Sequence, residues 1–155
     1  MNTDKSSLKT SRTDIVAAAA RGMAGACPVI GGLVAEAVNQ LIPNQKLYRV
    51  IEFLKALDQK FAVLEDKIKM LESNLSSEQG LDLFEDGIVQ ASRAISEERH
   101  NRLANLLTKS FSQKELKYNE SKKLLNLFRE LTDPELLCSP FILNRQLRGL
   151  STTNS

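Results

Sequence analysis

The sequence predicts an all-α protein, a helical bundle with one long heptad-patterned, coiled-coil-like helix and a Gly/Ala-rich N-terminal helical hairpin. Three observations carry this. Leu, Ala, Lys and Glu are abundant while aromatic residues make up only 5%, a mixture that favours helices over sheets. No run of alternating β-branched residues bounded by turn signals occurs, so there is no candidate strand pair. Finally, Val50, Leu54, Leu57, Phe61, Leu64, Ile68, Leu71 and Leu75 recur at alternating spacings of four and three, which is a heptad seam.

The chain has 155 residues, of which 42% are hydrophobic and 26% charged, enough for one domain with a core of its own. The domain is expected over 12–148, between mobile tails at 1–11 and 149–155. Its parts are a hairpin at 12–42, the long helix at 44–75 and a helical bundle at 81–148. Net charge is +2, with basic and acidic residues mixed along the chain, which gives no reason to expect nucleic acid. Cys27 and Cys138 stand far apart without a CxxC, so the expected setting is a reducing cytoplasm, peripheral to the inner membrane where the hairpin meets lipid.

From Ile15 the chain reads IVAAAARGMAGACPVIGGLVAEAV, and Gly22 to Ala35 holds no charge over fourteen residues. Fourteen helical residues rise about 21 Å, short of a hydrocarbon layer of about 30 Å, so a simple membrane-spanning helix is not expected. Pro28 divides the stretch into two short helices, because it cannot donate to the preceding turn and fits the first position of a new one. Gly22, Gly25, Gly31 and Gly32 would let these helices approach closely and offer a contact for a partner or a membrane. Arg21 and Glu36 lie nearly symmetrically about Pro28, so they come level and pair if the chain doubles back there. A continuous kinked helix would keep them about 22 Å apart.

Pro43 closes the hairpin and Asn44 can cap the long helix. Along its seam, Lys60 and Lys67 on one side and Glu65 and Glu72 on the other are complementary for a parallel twin, which predicts a homo-oligomer. Ala56, Val63 and Met70 add a second apolar stripe, which favours packing within a bundle. The pattern leaves both arrangements open. Ser76, Ser77 and Gly80 are expected to end the helix. A further helix from about Leu81 turns Leu81, Phe84, Ile88, Ala91 and Ile95 to one side, and Asp82, Glu85 and Asp86 oppose its dipole without enough further ligands for a metal.

Beyond Ile95 the register fails, and Ser96 followed by Glu97 and Glu98 marks a new start whose inner face is Leu103, Leu106, Leu107 and Phe111. His100 is expected on a solvated face, with no nucleophile motif beside it. Ser112 with Glu115 predicts a capping box for a helix to about Leu131, with Leu116, Leu124, Leu127, Phe128 and Leu131 inward and Lys117, Lys122, Lys123 and Arg129 outward. Asp133-Pro134 and Ser139-Pro140 restart the chain. A last apolar pattern, FILNRQLRGL, carries Arg145 and Arg148.

The layout ASRAISEERHNRLANLLTKSF at Ala91 to Phe111, followed by KKLLNLFREL and TDPE, resembles small helical Abi-alpha proteins of bacterial defence and mobile-element neighbourhoods. The resemblance implies a role in phage defence by abortive infection and carries over no catalytic residue. The functional expectation is a non-enzymatic interaction protein without cofactor or metal. It would self-associate through the seam and contact a protein partner or membrane through the hairpin. The alternative is a pore-forming effector that inserts oligomers of the hairpin into a membrane.

Overall fold

A computed structural model of the chain describes residues 31–32 and 43–138, and the hairpin pairing of Arg21 with Glu36 lies outside them. Six helices follow one another: α1 Leu47–Ala62, α2 Ile68–Ser76, α3 Glu78–Arg93, α4 Glu97–Phe111, α5 Tyr118–Glu130 and α6 Asp133–Cys138. Single 3-10 turns, Asn44–Lys46 and Glu65–Lys67, precede α1 and α2. No strand occurs among the described residues. α3 and α4 form the centre, with α1 packed chiefly on α4, α2 chiefly on α3, and α5 against both central helices. Gly87 sets one of these contacts, since a Cβ there would lie 2.5 Å from Leu107 Cδ1 of α4.

The long helix expected over 44–75 is two helices. Leu64 leaves helical geometry at φ −106°, ψ 40°, and the chain tightens through Leu64 N–H to Phe61 O (2.9 Å) and Lys67 N–H to Leu64 O (2.8 Å). The seam nevertheless keeps one destination. Val50, Leu54, Leu57 and Phe61 of α1 and Leu71 and Leu75 of α2 are buried at 0–1% exposure within this one chain, while Leu64 packs partly against the same core and Ile68 is half-buried. The oligomerisation surface expected from the heptads is therefore the inside of the bundle.

The physical reason is the width of the stripe. Leu47 and Phe53 are buried as well, so α1 presents the broad apolar face of a globular-core helix and not the narrow seam of a two-stranded coil. The second expected stripe is not uniform, because Ala56 packs against the core but Val63, at the break, is 83% exposed.

The next corner is tighter than the sequence suggested. Ser77 caps α3: its Oγ accepts from Gly80 N–H at 3.0 Å and donates to Asn74 O at 2.6 Å. Gly80 thus belongs to the first turn of α3 and does not separate two helices. A Cβ built on Gly80 collides with the Asn74 carbonyl, so only glycine lets the two helices meet at this angle. The register through Phe84, Ile88 and Ala91 lies in the core, joined by Leu83. Ile95 does not follow, since α3 stops at Arg93 and Ile95 stands 80% exposed in the link.

Ser96 caps α4 by accepting from Arg99 N–H at 3.3 Å, and Leu103, Leu106, Leu107 and Phe111 are fully buried. His100 is a correction. It lies on that same stripe, three and seven residues before Leu103 and Leu107, and is 6% exposed with Nε2 3.0 Å from Ala91 O.

The expected capping box at Ser112 and Glu115 does not form either. Ser112 Oγ donates back to Lys109 O at 3.3 Å, residues 112–117 form a link, and α5 starts at Tyr118 without a side-chain cap. Asn74 holds the link, its Nδ2 donating to Phe111 O at 2.7 Å and Gln113 O at 2.9 Å. Half of a box forms one helix later. Glu135 Oε2 accepts from both Thr132 N–H (2.7 Å) and Thr132 Oγ (2.8 Å), so Thr132 holds the cap position just before α6.

Candidate functional site

Among the described residues, charged side chains gather in two places, and both join helices. In the first, Lys122 of α5 sits between two carboxylates of α3, its Nζ 2.6 Å from Asp82 Oδ2 and 3.4 Å from Asp86 Oδ2. Tyr118 OH donates to the same Asp82 oxygen at 2.8 Å. The Lys122 hydrogen bond, with help from Tyr118, outweighs partial burial and holds the Asp82 carboxyl below the usual carboxylate range. Burial pulls Lys122 down, but the two carboxylates reverse this and raise it, and the Asp82 hydrogen bond raises the Tyr118 phenol.

The acidic start of α3 is thus bound to α5 through the Lys122 ammonium. Glu85 is exposed, and no group of three His, Cys, Asp or Glu side chains among the described residues is placed to hold a metal. Linkage gives a measurable consequence. Because the folded pKa of Asp82 is depressed, its contribution is fully present above the ordinary carboxylate pKa of about 4 and is lost as pH falls through the folded value. Asp82 is 48% exposed, so the contribution stays below about 1 kcal/mol. The stability gap between the parent chain and Asp82→Asn is expected to be constant from pH 6 to 8 and to close below about pH 4, read by denaturant titration at each pH.

The second place lies where α3 and α5 end and α4 and α6 begin. Arg99 holds it together. Its Nη1 donates to Leu131 O at 2.7 Å and Asp133 Oδ1 at 3.0 Å, its Nη2 donates to Phe128 O at 2.8 Å, and its guanidinium carbon lies 4.8 Å from the Phe128 ring centre. One side chain thereby satisfies the C-terminal carbonyls of α5 and fixes α6. Beside it a cleft of about 190 Å³ is lined by Gln90, Arg93, Ala94 and Ile95 from the end of α3 and its link, Arg99 from α4, Arg129 from α5, and Thr132 and Asp133. Gln90 is 5% exposed and donates through Nε2 to Leu125 O at 3.0 Å, while its Oε1 is buried without a donor.

Of these cleft residues the sequence singled out only Arg129, as part of a basic helix face. The only available signal was the basic face ending in Arg129, and that face divides: Lys122 turns to α3, whereas Lys123 and Arg129 are exposed. Of the residues expected to meet a partner or membrane, Gly22, Gly25 and Pro28 lie outside the described residues. Gly31 and Gly32 are helical, Gly31 half-buried and Gly32 exposed. A Cβ built on Gly32 meets nothing within 4 Å among the described residues, and the hairpin segments it was expected to approach lie outside them. No helix among the described residues is long and apolar enough to cross a membrane. Comparisons of the chain with protein-family models, with curated proteins and with solved structures found no match.

Proposed function

We propose that this chain is a non-enzymatic helical interaction protein that self-associates and meets its partner through the uncharged stretch around Pro28, with the bundle of α1 to α6 as its rigid support. The observation that carries the reading is the fate of the seam. Its strongest residues are enclosed in the chain's own core, so association has to use another surface, and Gly22 to Ala35 is the longest uncharged run in the sequence. The acidic and basic clusters at Asp82 and Arg99 hold helices together, which suits a scaffold. The likeness of residues 91–131 to Abi-alpha proteins supplies the proposed setting, bacterial phage defence.

Light scattering of the full-length chain tests this. A mass of two or more chains is expected in buffer, falling towards one chain on adding nonionic detergent and in the variant Ile30→Glu. A single-chain mass at high micromolar concentration, indifferent to detergent and to Ile30→Glu, would overturn the proposal.

A further inference from the structure

The cleft at the junction of α3, α4, α5 and α6 carries charge that the fold does not use. Arg99 and Asp133 neutralise one another at 3.0 Å. Arg93 has no hydrogen-bond or ion-pair partner among the described residues, and Arg129 has only a 3.2 Å contact from Nη2 to the neutral Asn126 Oδ1. Two guanidinium groups therefore flank the cleft without a counter-charge, each offering the planar donor fork that fits a carboxylate.

One further feature narrows the occupant. Ile95 stands 80% exposed on the wall, an apolar surface beside the charges. The volume of about 190 Å³ is below the range of about 300 Å³ and more usual for whole small-molecule ligands, but it accepts a side chain or a chain end.

We infer that this cleft is a docking point for a peptide segment of a partner protein that presents a carboxylate next to an apolar side chain: the carboxylate meets Arg93 and Arg129, and the apolar group covers Ile95. A bare inorganic anion would answer the arginines and leave Ile95 uncovered. The chain's own residues 139–155 are a poor occupant, because they carry Arg145 and Arg148 and no acidic side chain, and residues 151–155, Ser-Thr-Thr-Asn-Ser, offer no apolar side chain to set beside a terminal carboxylate. The site is independent of the contact proposed around Pro28, so either can fail alone.

The test is fluorescence anisotropy of dye-labelled synthetic peptides titrated with the full-length chain. One peptide has a single glutamate among leucines and blocked ends; the other has glutamine in its place and a free carboxyl end. Saturable binding of at least one is expected, and which one binds tells whether a side-chain or terminal carboxylate is read. The double variant Arg93→Gln/Arg129→Gln should weaken binding at least tenfold and Ile95→Ser several-fold, while Lys67→Gln/Lys69→Gln, an equal loss of charge at exposed side chains beside the start of α2, should leave it unchanged. Lack of saturation by either peptide would overturn the inference, as would equal weakening by Lys67→Gln/Lys69→Gln.

Discussion

Phe61→Ala is expected to destabilise the chain by about 3–5 kcal/mol, and by the same amount at every protein concentration. Phe61 closes α1 with its ring fully buried among the helices of its own chain. Truncation leaves a cavity whose lining, held by α4 and α1, relaxes only in part. Were the heptad seam instead the interface of a parallel pair, unfolding would be coupled to dissociation, and each tenfold dilution would lower stability by about 1.4 kcal/mol. Denaturant titrations with and without Phe61→Ala, both in the Ile30→Glu background that removes the association proposed around Pro28, separate the two cases over a hundredfold range of concentration. Superimposable curves are expected for each protein. A midpoint that climbs with concentration, and that Phe61→Ala makes independent of it, would return the seam to an intermolecular role.

The contrast explains how far the fold is legible in the residues. Periodicity reports which side of a helix is buried, and it does so correctly at Val50, Leu54, Leu57 and Phe61, and again at Leu103, Leu107 and Phe111. It does not report what does the burying. A twin helix and α4 satisfy the same spacing, and Phe53, which decides for the wider face, is one residue off the seam. Local capping chemistry is equally double-edged. Ser96 is used as written, whereas Ser112 turns back to Lys109 because Asn74, 37 and 39 residues away from its two acceptors, already holds the end of α4. His100 failed for a related reason: its charged neighbours suggested a solvated face, but the helical phase it shares with Leu103 and Leu107 sets its position. The cleft was illegible because Gln90, Arg93, Arg99 and Arg129 come from three helices and share no sequence motif.

Arg99 shows what such a long-range residue does for the bundle. Arg99→Met, which keeps the aliphatic stem and removes the fork, is expected to lower stability by about 3 kcal/mol, because hydrogen bonds from a charged donor are each worth about 1.5–3 kcal/mol and two carbonyls, Phe128 O in the last turn of α5 and Leu131 O just past it, would lose theirs. The ion pair contributes less. Asp133 is 42% exposed, so Asp133→Asn should cost under about 1 kcal/mol. Arg99→Lys should recover only a minor part of the loss, since a single ammonium cannot reach Leu131 O, Phe128 O and Asp133 Oδ1 in the geometry of a planar guanidinium or lie flat over the Phe128 ring. Denaturant titration of the three variants beside the parent gives the order Met, Lys, Asn from largest loss to smallest. If Arg99→Met fell within about 0.5 kcal/mol of the parent, a loss typical of surface changes, α5 and α6 would be held by their apolar contacts alone and the Arg99 clamp would carry no weight.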